Sequence, residues 1–114
     1  MRSAVCLSVL LLASLPAHAH HGWSEYDSTR PLNLSGTIAE SGYEHPHGHI
    51  RLNTDNKTWW VVLAPPTRMA NRGLPASALK KGARATVTGY PNRSKPEEMR
   101  AERITVDGKT VELR

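Results

Sequence analysis

The sequence predicts a small, mainly β domain: a five-stranded OB-like barrel with a short helical segment between its third and fourth strands. Three observations predict this fold. Short segments alternate apolar and polar residues, one helix-forming stretch follows the third of them, and a tight-turn signal near the C-terminus indicates a final hairpin. The chain has 114 residues, which allows one small domain and excludes a multidomain protein. An open antiparallel sandwich is the alternative arrangement of the same strands.

The sequence of the first half of the domain predicts three strands, at residues 32–39, 49–53 and 58–64. Pro31 cannot donate to a strand ladder and therefore marks the entry to the first strand. Ser41-Gly42 predicts a bulge or bend after that strand. The third strand is apolar on both faces, which is typical of a strand that is covered on both sides.

The second half predicts a helix, a helical turn, two strands and a terminal arm. Their ranges are 67–72, 75–81, 83–90, 99–106 and 110–113. Ala101 and Ile104 break the strict alternation of the penultimate strand, which indicates a bulge. Asp107-Gly108 is a turn pair that joins the last two strands as a hairpin. The polar residues 91–98 predict a loop in which Glu97-Glu98 is solvated charge.

Residues 1–19 predict a secretory signal peptide. Arg2 provides the positive start, residues 5–15 are mostly apolar and uncharged, and Ala17-His18-Ala19 matches a small-x-small cleavage site. The apolar run is too short to cross about 30 Å of hydrocarbon. We therefore expect a periplasmic or secreted protein with no transmembrane segment after removal of the signal. Its parts are the signal peptide 1–19, an arm 20–31 and the barrel 32–114.

The chain is mildly basic. Its formal net charge is +5, and it becomes +4, from 14 basic and 10 acidic residues, once Arg2 is removed with the signal. We expect no nucleic-acid partner for an exported protein, so the available anions are lipid headgroups, polysaccharides and small ligands. The alternative is that the charge only keeps the domain soluble. The single cysteine, Cys6, lies in the predicted signal peptide, so we expect no disulfide in the mature chain.

Three histidines in five residues form the main candidate site. His45, His47 and His49 have a spacing of two, and such positions share one face of an extended segment. Pro46 and Gly48 favour the curvature that would let three rings converge. Imidazole suits copper, zinc and nickel. The pattern therefore predicts a transition-metal site with copper favoured, and the alternative is a polar turn with solvated rings.

The predicted mature N-terminus adds a second candidate. If cleavage follows Ala19, His20 offers an α-amine and an imidazole, and His21 adds a third nitrogen. Together with a distant strand histidine they would resemble a histidine-brace copper site. The alternative is cleavage elsewhere, with both rings in a loose arm. Weaker candidates for extra ligands are Glu25, Asp27 and Glu44. Met69 and Met99 could bind Cu(I), but methionine is far more often a core residue.

An aromatic and cationic surface predicts a different kind of function. OB folds bind ligands across strands two and three and the adjoining loops. That surface would hold His49 and a group of candidate residues for an anionic glycan, lipid headgroup or peptide: Arg51, Trp59 or Trp60, Tyr90 and Arg93. No nucleophile motif and no glycine-rich phosphate loop is present, so we expect a binding protein rather than an enzyme. The favoured function is a metal carrier, sensor or resistance factor, and the non-metal ligand module is the alternative.

The whole mature chain resembles a family of small exported bacterial proteins of unknown function. The resemblance rests on several motifs: His20-His21-Gly22-Trp23, Pro46-His47-x-His49-Ile50-Arg51-Leu52, residues 59–66, Gly89-Tyr90-Pro91 and residues 99–104. It implies export and fits an OB-like barrel. It implies no established activity, and we carry over no catalytic residue from it.

Overall fold

The computed structural model describes residues 22–114, and the six strands within them form one sheet. The strands are β1 (Leu32–Gly42), β2 (His49–Asn53), β3 (Thr58–Val62), β4 (Arg84–Pro91), β5 (Glu98–Val106) and β6 (Lys109–Glu112). The helix α1 (Pro66–Asn71) lies between β3 and β4, as predicted. Short 3₁₀ helices cover Trp23–Glu25 and Ala76–Leu79.

The long strand β1 belongs to both halves of the sheet. Residues 32–37 pair antiparallel with β4, and residues 37–42 pair antiparallel with β2. The partners change at Thr37, and a β-bulge between Ile38 and Glu40 lies just beyond it, within the part that pairs with β2. Because a bulge bends its strand and increases the local twist, β1 can turn from one partner to the other.

Parallel pairing of β3 with β5 closes the sheet. Trp60 pairs with Glu98, and Val62 pairs with Arg100. Five strands therefore form a closed barrel, and β6 is an additional strand that pairs with β5 as the predicted hairpin. The OB-like barrel is confirmed, and this closure excludes the open sandwich.

The core lies inside the barrel. Alternate residues of the strands supply it, and α1 adds Met69 from one end. Its fully buried side chains include Ile38, Ile50, Leu52, Val61, Val87, Met99 and Ile104. Burying apolar side chains contributes about 1.5–3 kcal/mol each, so these inward residues provide the main driving force for folding of the domain.

The structure corrects several details of the predicted elements. β1 continues through Ser41-Gly42, and the bend lies at the bulge near Ala39 instead. Helix α1 begins at Pro66, with Pro65 at the cap position and no side-chain cap, rather than with a Thr67 cap. Proline at the first helical position suits a helix start, since its missing N–H would have no partner there. The bulge predicted in β5 is confirmed opposite Thr88 and Gly89.

No helix within residues 22–114 is long and apolar enough to cross a membrane. The predicted signal peptide and the first two residues of the predicted arm lie outside the described residues.

The close approach of β4 to β5 requires glycine at position 89. Gly89 pairs with Ala101 where β5 carries its extra residue. A Cβ atom on Gly89 would overlap the carbonyl oxygen of Arg100 and lie 2.8 Å from the Cα of Ala101. Both of those atoms belong to the backbone, so neither can rotate away.

We predict that Gly89→Ala lowers the free energy of unfolding by about 1–3 kcal/mol, because β4 must move away from β5 to admit the methyl group. Urea unfolding followed by tryptophan fluorescence measures the change. Arg84→Ala, at an exposed position of the same strand, is the control and should change stability much less. Equal losses in the two variants would contradict the packing argument.

Candidate functional site

The outer face of β2 and β3 presents a stacked pair of rings. Strand alternation points Ile50 and Leu52 into the core and leaves His49 and Arg51 on the outside. The rings of His49 and Trp60 stack at 4.1 Å between centroids with an interplanar angle of 13°. The guanidinium of Arg51 lies 5.2 Å from the Trp60 ring centroid, and its Nε is 3.6 Å from Glu40 Oε1. The two rings thus lie face to face, with a cation beside the stacked pair.

The position of the His49 ring depends on Gly42. These two residues pair across β1 and β2. A Cβ atom on Gly42 would overlap the imidazole of His49. The absence of a side chain at position 42 therefore leaves the space that the ring occupies beside Trp60.

A groove of about 340 Å³ opens beside this stacked pair. We call it the β2–β3 groove; it is lined by Pro46, His47, Gly48, His49, Trp60, Val62, Lys95 and Glu98. Its walls come from the loop between β1 and β2 and from the loop between β4 and β5. An adjoining hollow of about 390 Å³ shares Trp60, Lys95 and Glu98 with it. These two loops and the face of strands two and three are the parts that bind ligands in OB folds.

Glu98 is a fixed carboxylate at the end of the groove. Its side chain is nearly buried, and its Oε2 accepts hydrogen bonds from the Tyr26 hydroxyl at 2.8 Å and the Asn92 amide at 3.0 Å. Lys95 Nζ lies 3.9 Å from the other oxygen. Burial, and then the neighbouring Glu98, raise the pKa of the Tyr26 phenol above its usual value. Tyr26 therefore stays protonated and remains a donor to Glu98.

Residues 22–26, which we call the N-terminal segment, cover β5 beside the groove. The indole of Trp23 lies between two guanidinium groups, with Arg100 Cζ at 4.2 Å and Arg114 Cζ at 4.4 Å from its ring. Arg100 is 6% exposed, and its Nη2 is 3.4 Å from Nε2 of His47. Burial lowers the pKa of Arg100. The segment, β5 and the groove are thus joined through His47, Arg100 and Trp23.

A family model for a family of unknown function, DUF6152, matches residues 8–100. The chain belongs to this family. Membership in DUF6152 agrees with the resemblance seen in the sequence and assigns no activity to the groove.

Two solved structures share the fold of the DUF6152 chain. One is a complex of TiaS with a tRNA and ATP, with 22% identity, a TM-score of 0.53 and coverage of 78% of this chain and 20% of that chain. Another is TiaS without its ZRD in complex with agmatine, with 21% identity, a TM-score of 0.52 and coverage of 77% and 25%. The chain thus spans a fifth to a quarter of those proteins, and the likeness shows the fold alone. A comparison with curated proteins found no match.

The three clustered histidines of this DUF6152 protein have different surroundings. His45 is exposed on the loop before β2, His47 contacts Arg100, and His49 stacks on Trp60. In the part of the chain from residue 22 onward, no group of three or more histidine, cysteine, aspartate or glutamate side chains could hold a metal ion. His20 and His21 lie outside the described residues, so copper or zinc binding that involves them stays a prediction.

The residues predicted for a non-metal ligand divide between two places. Arg51 and Trp60 lie on the outer face with His49, while Trp59 packs partly against the core. Tyr90 packs against Trp23 and donates to Glu102, and Arg93 Nε donates to the carbonyl oxygen of Ser24. The structure therefore assembles part of the predicted surface at the β2–β3 groove and places the rest outside it.

Two groove residues were missed by the sequence analysis. Glu98 is not solvated charge in a loop, as predicted, but the nearly buried first residue of β5. Lys95 lies in the preceding loop and lines the groove. The signal that could have found them is the predicted fold itself, because the loop between strands four and five borders the ligand face of an OB fold.

We predict that Tyr26→Phe lowers the free energy of unfolding by about 1–3 kcal/mol, because it removes a donor from the nearly buried Glu98 carboxylate. Thermal or urea unfolding measures the loss. Tyr90→Phe is the matched control, since its hydroxyl donates to the more exposed Glu102 at 3.1 Å. The control should lose less stability, and the reverse order would show that the Tyr26 contact contributes little.

Proposed function

We propose that this DUF6152 protein is exported and that its β2–β3 groove binds an anionic glycan. The observation that carries the proposal is the stacked His49–Trp60 pair beside Lys95 and Glu98 in one groove. Ligand sites commonly combine aromatic walls with a few well-placed polar groups. The groove has both, on the face that OB folds use for oligosaccharides and oligonucleotides.

Each part of the groove has a role in this proposal. A sugar ring has an apolar face that can pack against the stacked indole and imidazole of Trp60 and His49. Lys95 in the groove, and Arg51 on the outer face beside Trp60, would attract a carboxylate or sulfate group through charge-assisted hydrogen bonds. Glu98 would repel an anionic group and accept hydrogen bonds from neutral hydroxyls. The ligand would therefore bind with its anionic group toward the cations and its hydroxyls toward Glu98.

Export favours a glycan over a nucleic acid as the natural ligand. The signal peptide predicted at residues 1–19 would carry the mature chain away from the cytosolic nucleic acids. The tRNA belongs to the TiaS structure, whose likeness to this chain is one of fold. An oligonucleotide is therefore an outcome that the binding experiment must test.

We predict that tetragalacturonate binds the protein and that maltotetraose, a neutral sugar of equal length, binds more weakly. Trp60→Ala should lower the affinity for tetragalacturonate about tenfold, because buried aromatic contacts dominate most binding sites. Lys95→Gln should cause a smaller loss that shrinks at high salt, because screening weakens exposed charge pairs. Isothermal titration calorimetry at two salt concentrations measures both effects.

Lys80→Gln is the control for Lys95→Gln, since it removes the same charge at an exposed position beyond the second 3₁₀ helix. Circular dichroism would show that each variant is folded. Unchanged affinity in folded Trp60→Ala and Lys95→Gln proteins would exclude the β2–β3 groove as the site. Tighter binding of a single-stranded oligonucleotide than of tetragalacturonate would exclude a glycan as the preferred ligand.

Copper binding at the mature N-terminus is a second candidate function, which one set of contacts favours. Trp23 packs on Arg100, and Arg100 contacts His47. His20 precedes Trp23 by three residues, a reach of at most about 10 Å. If cleavage follows Ala19, this span would allow the α-amine and imidazole of His20 to share an ion with His47, as in the histidine-brace arrangement predicted from the sequence.

We predict that a chain that begins at His20 takes up one equivalent of Cu(II) and that His20→Ala or His47→Ala abolishes this uptake, because each removes a nitrogen ligand. Electron paramagnetic resonance of the titrated protein measures uptake and nitrogen coordination. His45→Ala, at an exposed loop position, is the control. Equal uptake by all three variants would exclude this site without affecting the glycan proposal.

A further inference from the structure

A second, strongly basic pocket lies on the other side of the loop between β4 and β5. We call it the basic pocket and define it by Arg30, Lys57, Trp59 and Arg93, which line a space of about 550 Å³. All three cationic residues are exposed, and Trp59 is half-buried. The basic pocket therefore combines positive charge with an aromatic ring, as the β2–β3 groove does.

The charge of the basic pocket is positive on balance. Asp27 interacts electrostatically with Arg30 and Arg93, and Glu25 lines an adjoining pocket together with Arg93. Hydrogen bonds from Thr29 are the main reason that the pKa of Asp27 is lowered, so this carboxylate is ionised at neutral pH. Three cations against these two carboxylates leave an excess of one positive charge, which suits an anionic group.

Two of the cations are held in place by the protein. Lys57 Nζ lies 4.0 Å from the Trp59 ring centroid and donates to the carbonyl oxygen of Pro96 at 2.7 Å. Arg93 Nε donates to the carbonyl oxygen of Ser24 at 3.1 Å. Contacts of this kind reduce the conformational freedom that a side chain loses when it binds a ligand.

The basic pocket continues into the groove along the loop. Ser94 and Pro96 line both the basic pocket and the hollow beside Trp60. Trp59 and Trp60 are adjacent in β3, and successive side chains of a strand point to opposite faces. The two indoles therefore stand on opposite sides of the strand, with residues 94–96 between the spaces that they line.

We propose that the ligand is a chain rather than a single unit, and that the basic pocket is a second subsite for another anionic unit of the same glycan. This inference rests on the proposed function of the β2–β3 groove. The glycan chain crosses the loop at Ser94 and Pro96, with one sugar unit beside Trp60 and a later one beside Trp59. Two subsites that bind the same glycan molecule raise the affinity for that glycan without a stronger contact at either subsite, because the second binding step is intramolecular.

The experiment compares a galacturonate dimer with a galacturonate octamer. On the unaltered mature chain, the octamer should bind roughly tenfold more tightly than the dimer, or better. The double variant Arg30→Gln/Lys57→Gln should lose that gain and still bind the dimer normally. The double variant Lys80→Gln/Lys81→Gln removes the same charge at exposed positions and should keep the gain.

The indole N–H signals of Trp59 and Trp60 provide a second measurement by nuclear magnetic resonance. The dimer should shift the signal of Trp60, and the octamer should shift both signals. This readout needs no substitution, so it remains decisive if the double variant is unstable.

The outcomes separate the inference from the proposed function. A length gain that survives Arg30→Gln/Lys57→Gln, or an octamer that never shifts the Trp59 signal, overturns the second subsite. Normal dimer binding in the same samples leaves the groove as the glycan site. Failure of both oligomers to bind the unaltered protein overturns the proposed function and the second subsite together.

Discussion

The parallel pairing of β3 with β5 is the constraint on which the rest of the structure depends. It closes the barrel, aligns Val61 with Met99 in the core and places Glu98 beside Trp60 on the outside. A carboxylate and an indole that are far apart in the sequence thereby become neighbours in one groove. The same register sends the side chain of Arg100 outward. The closure thus provides the core. It also brings Glu98 and Arg100 to the outer surface of β5, where other residues must pack over them because both are nearly buried.

The N-terminal segment packs over these two charged residues of β5. Burying a charged group is costly unless it is paired and hydrogen-bonded. Tyr26 and Asn92 satisfy Glu98, and the indole of Trp23 covers Arg100. The segment therefore completes the outer surface of the barrel rather than trailing from it. Because Glu98 belongs both to this contact and to the β2–β3 groove, the shape of the groove depends on the docking of the segment.

The sequence predicted the elements better than it predicted the site. The period of two located strands such as β2 and β4, in which buried and more exposed residues alternate. The doubly apolar residues 58–64 indicated the covered strand β3. The spacing of His45, His47 and His49 was less informative, because β2 begins only at His49 and the earlier two residues lie in a loop. Glu98 was misassigned because its burial results from long-range contacts with Tyr26 and Trp60, which no local pattern encodes.

The indole of Trp23 also joins the two ends of the described chain, since its ring contacts the guanidinium of Arg114. A substitution of Arg114, or an insertion directly after it, would therefore alter a contact that holds the N-terminal segment. Peptide insertions belong instead at the Asp107-Gly108 turn, whose residues are exposed and lie outside that contact. For anyone engineering this barrel, Trp23 and Arg114 are structural parts and the last hairpin turn is the tolerant position.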